Sequence, residues 1–186
     1  IDDEAFPGGI GREVVAEDFV YSIKRHFDPG NISQGPGLWD GKIEGMAEWA
    51  AAGADYDALL SGLQALDDYT IRIRLTRPFP QLTYTLAMGF SAFVPREAVE
   101  FYGPELSLHP VGSGPFKLVS FDTTKAVFEA NSKYRQEPFD LEHESYDESL
   151  HAKLGLASLE GRSPPFVDRL EIDFINEASS RWASFT

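Results

Sequence analysis

Between Ile71 and Thr76, apolar and polar residues alternate one for one: Ile71, Ile73 and Leu75 against Arg72, Arg74 and Thr76. A period of two describes a strand with one buried face, and that face must be covered by something. Upstream, Leu63, Ala65 and Leu66 precede the turn pair Asp67-Asp68, so the pattern predicts a hairpin across residues 63–77, ended by Pro78 and Pro80. The signature returns further on. Residues 116–121 and 126–130 flank Asp122, Thr123 and Thr124, which reads as a second strand pair. Leu170, Ile172 and Phe174 alternate with Glu171 and Asp173, which reads as a last strand.

Helical patterns interleave with these strands. From Ala16 the period changes: Phe19, Val20, Ile23 and Phe27 share one helical face. Glu17 and Asp18 occupy the first turn, and Lys24, Arg25 and His26 lie towards the end, as the helix dipole favours. Asp28-Pro29-Gly30 predicts the stop. Residues 1–11 and 31–41 read as loop. A second helix is expected around Ile43, Met46, Ala47 and Ala50, a short third over residues 56–63 and an apolar one over 81–88. After a strand remnant at Phe93-Val94, Pro95 is placed at the first position of a helix running from Arg96 to Tyr102. One more helix is expected over 149–159, before Pro164-Pro165, and another over 178–185. Irregular interleaving of this kind predicts an α+β or mixed α/β fold.

The 186 residues suffice for a real core without covalent staples. The net charge is −14, and a chain this acidic repels polyanions, which excludes a nucleic-acid partner needing a basic face. The sequence has no cysteine, so a disulfide framework, a zinc–thiolate site and a cysteine nucleophile are excluded. No apolar run is long enough to span a bilayer. The chain opens on Ile rather than Met, which reads as a piece of a longer protein.

The histidines are His26, His109, His143 and His151. Residues 142–151 form the one ligand-rich cluster: on a helix, His143, Asp147 and His151 would stack at i, i+4 and i+8 and could hold a divalent metal. A solvated acidic segment is the plainer reading and is preferred, so no metal, cofactor or catalytic residue is assigned. Gly112-Ser113-Gly114 approaches a nucleophile elbow, but Pro115 breaks the strand–turn–helix context. Asn31-Ile32-Ser33 matches a glycosylation triplet that is common by chance. The aromatics Phe19, Tyr21, Phe27, Trp39, Trp49, Phe79, Tyr84, Phe90, Phe93, Phe101 and Tyr102 are read mostly as core, with a few free to line a cleft.

Several segments, in order, resemble one family. Val14 to Arg25 followed by Asp28-Pro29 is similar to the signature of family 5 extracellular solute-binding proteins, with Val15 where a Thr is usual. The segment Leu66 to Pro80 resembles the next block, as do Phe93 to Val99 and His109 to Leu118, the latter with Ser113 in place of Thr. Asn131-Ser132-Lys133-Tyr134 resembles an Asn-Pro-x-Tyr block, and Phe166 to Ile172 resembles the strand after it.

The resemblance implies a binding protein and not an enzyme: a two-lobed, periplasmic-binding-protein type II-like molecule that closes on a peptide or similar small solute and delivers it to the membrane permease subunits of an ABC importer. It implies a periplasmic or extracellular location. On this reading, residues 1–186 are part of the first lobe, including an inserted smaller domain at about 14–110. Residues 111–186 are strands returning to the main lobe, with an unusual insertion at 136–165. The carboxylate that pairs with a peptide amino terminus in such relatives has no counterpart here, so the ligand-binding residues are unknown. Gly112, Gly114, Pro115 and Phe116 are expected to be structural, and Arg72 and Arg74 to be surface charges. The alternative is a metal-dependent hydrolase domain using the His143–His151 region.

Overall fold

Helix α1 (Ala16–Phe27) organises the first half of the chain. In the computed structural model, which describes residues 1–142 and 146–185, the chain divides into two units: Asp2–Leu106, and Ser107–Thr186 together with Ile1. In the first unit, α1 buries Phe19, Val20 and Ile23 against Trp39, Ile43, Met46, Trp49, Ala54, Leu60 and Leu63. The period-3.6 face read from sequence is therefore the core face. The helix ends at Asp28 because the following Pro29 disfavours helical dihedrals in the residue before it; Asp28 is extended (φ −68°, ψ 119°).

The remaining elements of this unit are short: α2 (Pro36–Trp39), α3 (Met46–Ala51), α4 (Leu82–Leu86) and α5 (Arg96–Tyr102). Strands β1 (Leu63–Asp67) and β2 (Thr70–Ile73) form the expected antiparallel hairpin, with Leu63 opposite Ile73 and Ala65 opposite Ile71. On its outer face Gln64 pairs with Arg72, and Arg72 and Arg74 are exposed as expected. The hairpin turn also serves the helix, since the Asp68 carbonyl accepts the Ala16 N–H at 2.7 Å. Gly62 passes so close to residue 44 that a Cβ there would lie 2.1 Å from the Glu44 carbonyl oxygen, so only glycine fits.

A charged triad ties the start of α1 to α5. Both Asp18 oxygens accept from Arg12 (2.6 and 2.8 Å), and the same guanidinium donates to both oxygens of Glu97 (2.6 and 2.9 Å). Asp18 is buried, and its carboxylate also accepts the Val15 N–H at 2.9 Å, an orphan donor at the helix start. Burial pushes the Asp18 carboxyl up, but the hydrogen bonds from Arg12 and Val15 and the guanidinium charge outweigh it and hold it below its usual value.

Several expected elements differ. The second helix begins only at Met46, because Gly45 is left-handed (φ 76°) and Ile43 bridges Leu75. The helix expected over 56–63 does not form. Asp55 makes a turn that takes the Asp57 and Ala58 N–H groups, and the Tyr56 and Ala58 carbonyls are claimed by Lys24. Phe93-Val94 is not a strand, because the Val94 N–H goes to Ser22 Oγ (2.7 Å). Pro95 caps α5 from the position before its first residue. Of the aromatics, Phe19, Tyr21, Trp39 and Trp49 are buried, whereas Tyr84, Phe90, Phe93 and Phe101 are exposed.

In the second unit, β3 (Phe116–Phe121), β4 (Lys125–Ala130) and β5 (Arg169–Asp173) form an antiparallel sheet in the order β3-β4-β5. The Asp122 carboxylate accepts from the Thr124 and Lys125 N–H groups and so builds the β3–β4 turn read from sequence. The register puts Leu118, Phe128 and Leu170 on one face with Ala126 and Ile172. The opposite face carries a ladder of ion pairs: Lys125 with Glu171 (2.9 Å) and Asp173 (3.3 Å), and Arg169 with Glu171 (2.7 Å) and Glu129 (3.7 Å). The buried Asn131 donates its side-chain amide to the Gly114 carbonyl (2.8 Å) and its backbone N–H to the Pro115 carbonyl (2.8 Å). The glycine passage and the Asn block, separate in sequence, are thus one structural device. The helix expected over 149–159 is broken into α6 (Glu148–His151) and two 3-10 turns, with Gly155 left-handed (φ 70°) between them. Helix α7 (Ala178–Phe185) forms as expected.

Replacing Arg12 by Met leaves the buried Asp18 carboxylate without its counter-ion. Urea denaturation is expected to show a loss of about 2–3 kcal/mol, below the value for a fully buried pair because Arg12 is 36% exposed. Because the Asp18 pKa is depressed on folding, its contribution is present above the ordinary carboxylate pKa of about 4 and is lost as pH falls through the lower folded value. Acid titration of stability is therefore expected to be steeper in the wild type than in Arg12→Met. Superimposable pH profiles would show that the triad contributes nothing.

Candidate functional site

The ligand-rich cluster of the sequence does not assemble as a helical stripe. His143 lies outside the described residues, with Glu144 and Ser145. Asp147 is the residue before α6 and not a member of it: its carboxylate accepts from the Ser149 N–H (2.8 Å) and Oγ (2.6 Å), which holds its pKa below the usual range. His151 is also committed, because its Nδ1 accepts the Asp147 backbone N–H at 2.8 Å. Among the described residues no group of three His, Asp or Glu side chains is placed to hold a metal ion. The geometry gives no support to metal-dependent hydrolysis in this region.

Among the described residues, two cavities in the first unit are lined by polar groups of which several are satisfied by the chain itself. The larger, about 450 Å³, is flanked by Lys24, Tyr56, Asp57 and Arg96. Lys24 is buried, yet its ammonium donates to the Tyr56 and Ala58 carbonyls (2.8 and 2.9 Å) and sits 5.6 Å from the Trp49 ring centre. Burial pulls the pKa of this ammonium below its usual value. Arg96 pairs with Asp57 (2.6 Å) and Glu100 (2.7 Å). The smaller cavity, about 280 Å³, includes Ser22 and His26. The His26 ring contacts Ser33 Oγ (2.6 Å) and the Phe90 carbonyl (2.7 Å), and Ser22 Oγ donates to the Asp18 carbonyl (2.6 Å). These groups pin loops onto α1 rather than wait for a ligand. Lys24 was readable only as a helix-end charge, although Val20, Lys24 and Phe27 follow the helical spacing of the buried face.

The third cavity, about 460 Å³, belongs to the second unit and is of another character. Its walls are Phe139, Tyr146, Leu156, Pro164 and Phe166, and its charged members are Glu137 and Asp140. Reciprocal backbone hydrogen bonds close the base of this segment: the Phe139 N–H donates to Arg162 (2.8 Å) and the Gly161 N–H to Phe139 (2.9 Å). That closure sets the Phe139 and Phe166 rings edge to face, 6.5 Å apart at 88°.

Comparison with known proteins places this architecture. Residues 11–186 match the bacterial extracellular solute-binding proteins, family 5 (middle). The chain belongs to that family. Its mixed helix-and-strand fold is that of periplasmic peptide-binding proteins: a periplasmic oligopeptide-binding protein of Borrelia burgdorferi (OppAIV) superposes with a TM-score of 0.70 at 23% identity, over 94% of this chain and 30% of that one. OppA of Haemophilus influenzae, solved in complex with RPPGFSPFR, superposes with a TM-score of 0.58 at 26% identity, over 67% of this chain and 25% of that one. In sequence, Heme-binding protein A of Haemophilus influenzae is 28% identical over 181 residues, 92% of this chain. The chain spans 26% of that relative's length. The members of the family are solute-binding proteins.

Calorimetric titration with zinc is expected to show no saturable heat at micromolar metal. A one-site isotherm that disappears in His151→Ala would restore the metal reading.

Proposed function

We propose that this chain is part of the solute-binding component of an ABC importer, acting outside the cytoplasmic membrane and capturing a peptide or similar small solute for its permease subunits. The observation that carries this reading is the family match across residues 11–186, together with likeness to oligopeptide-binding structures along nearly the whole chain. We read residues 14–110 as an inserted smaller domain and 111–186 as strands of the main lobe. The boundary between the two units near residue 106 supports that division. The solute is delivered after closure of two lobes, because contacts made from both sides are what favour the closed form. The names of the relatives set the ligand classes to try: peptides first, then glutathione and haem.

A longer version of the protein, extended on both sides to the length of its relatives, is the proper test. A thermal-shift screen is expected to show a rise in Tm with at least one peptide class, by linkage between binding and folding. The isolated 186 residues are expected to bind the same peptide at least a hundredfold more weakly, in the absence of an enclosing lobe. A longer protein stabilised by a sugar or a metal chelate but by no peptide would refute the solute class. Micromolar peptide affinity in the isolated chain would refute the need for a second lobe.

A further inference from the structure

We propose that the cavity lined by residues 137–140, Tyr146, His151, Leu156, Pro164 and Phe166 is a binding site for an organic cation, an alkylguanidinium or alkylammonium group carried on a short carbon chain. The inference rests on the wall chemistry and is independent of the transport reading. Phe139, Tyr146 and Phe166 line a space of about 460 Å³, within the range of ordinary small-molecule pockets. Aromatic faces attract cations through the ring quadrupole and give methylene groups an apolar surface to cover.

The charge of the pocket selects among ligands. Among the described residues, Glu137 and Asp140 are its charged members, and no Lys or Arg lines it. An anion would meet two carboxylates, one of them paired with Arg135, whereas a cation meets the open acceptor positions of both. The carboxylates also keep accepting capacity. Glu137 pairs with Arg135 through Oε1 (2.9 Å), and Asp140 accepts the Glu142 N–H through Oδ1 (2.7 Å), while an ionised carboxylate offers about four acceptor positions. Both residues are exposed and so reachable.

His151 defines the remaining wall. Its Nδ1 accepts the Asp147 N–H at 2.8 Å, and the ring lies 5.4 Å from that of Tyr146, tilted by 35°. The residue adds a further ring surface to the wall. The chain already shows the contact it would offer a ligand: the Arg162 guanidinium lies 5.6 Å from the Phe166 ring centre.

The probes are agmatine, which is a free guanidinium, and the blocked tripeptide acetyl-Ala-Arg-Ala-amide. Acetyl-Ala-norleucine-Ala-amide and acetyl-Ala-Glu-Ala-amide serve as the uncharged and anionic controls. Amide chemical-shift titrations of the 186-residue chain report on Phe139, Tyr146 and Phe166. Saturable shifts there are expected with at least one cationic probe, about fivefold weaker binding with norleucine, and none with Glu. Binding of agmatine would point to free cations as the source, and binding of the tripeptide alone to a peptide side chain; either supports the site. Glu137→Gln and Asp140→Asn alter exposed groups and are expected to weaken cation binding about fivefold each while leaving the folded spectrum intact. Equal affinity for norleucine and arginine probes, or unchanged affinity in both variants, would overturn the proposal, as would the absence of shifts at 10-millimolar-scale (about 10 mM) cation, weaker than a site of this size should give.

Discussion

Helix α1 carries a carboxylate and an ammonium into the most densely packed part of the 2–106 unit, and the surroundings are shaped by the need to satisfy both. An uncompensated buried charge costs several kcal/mol, on the order of what an entire domain has in reserve. Asp18 is met by Arg12 and by the Val15 N–H, and Lys24 by two backbone carbonyls and the face of Trp49. Each solution recruits a distant piece of chain. Arg12 reaches on to Glu97 of α5, and the carbonyls that hold Lys24 belong to the 56–58 segment. Two ions thus help to fix the position of a helix and of a loop, beside the apolar contacts of Ala98, Tyr56 and Ala58.

The same accounting separates what was legible in the sequence from what was not. The strands and α1 were readable because each has a period of its own and sharp stops, as at Asp28-Pro29 and at Asp122. The absent helix over 56–63 was not, because it is prevented by Lys24, whose partners lie more than thirty positions away. The break at Gly155 was visible as a residue but not as a decision, since glycine inside a helix is only mildly costly until the chain needs a left-handed turn there. Among the candidate sites, the His–Asp spacing at 143–151 looked promising only on the assumption of a helix that begins early enough. Asp147 instead spends its carboxylate on starting α6. The aromatic cavity was hidden for a related reason: Phe139 and Phe166 are brought together by backbone hydrogen bonds at the neck of a long segment, and no local pattern announces them.

Family likeness and physical structure meet in the motif residues. The Ala-Glu-Asp start of α1 is where Asp18 is buried and gripped, and the glycine passage before β3 is held by the Asn of the block after β4. These segments shape the scaffold.

The ladder of ion pairs along β5 has a further bearing on how this protein lives in company. Among the described residues β5 pairs with β4 alone, so its other side is a row of open backbone groups of the kind on which a second chain can template itself. Arg169, Glu171 and Asp173 sit on that strand with their charges already engaged by Lys125 and Glu129. An incoming strand would have to break those pairs or bury them. The residues that hold the strand in register therefore also set charges along one of the sheet's two margins, the kind of device by which edge strands discourage templated pairing.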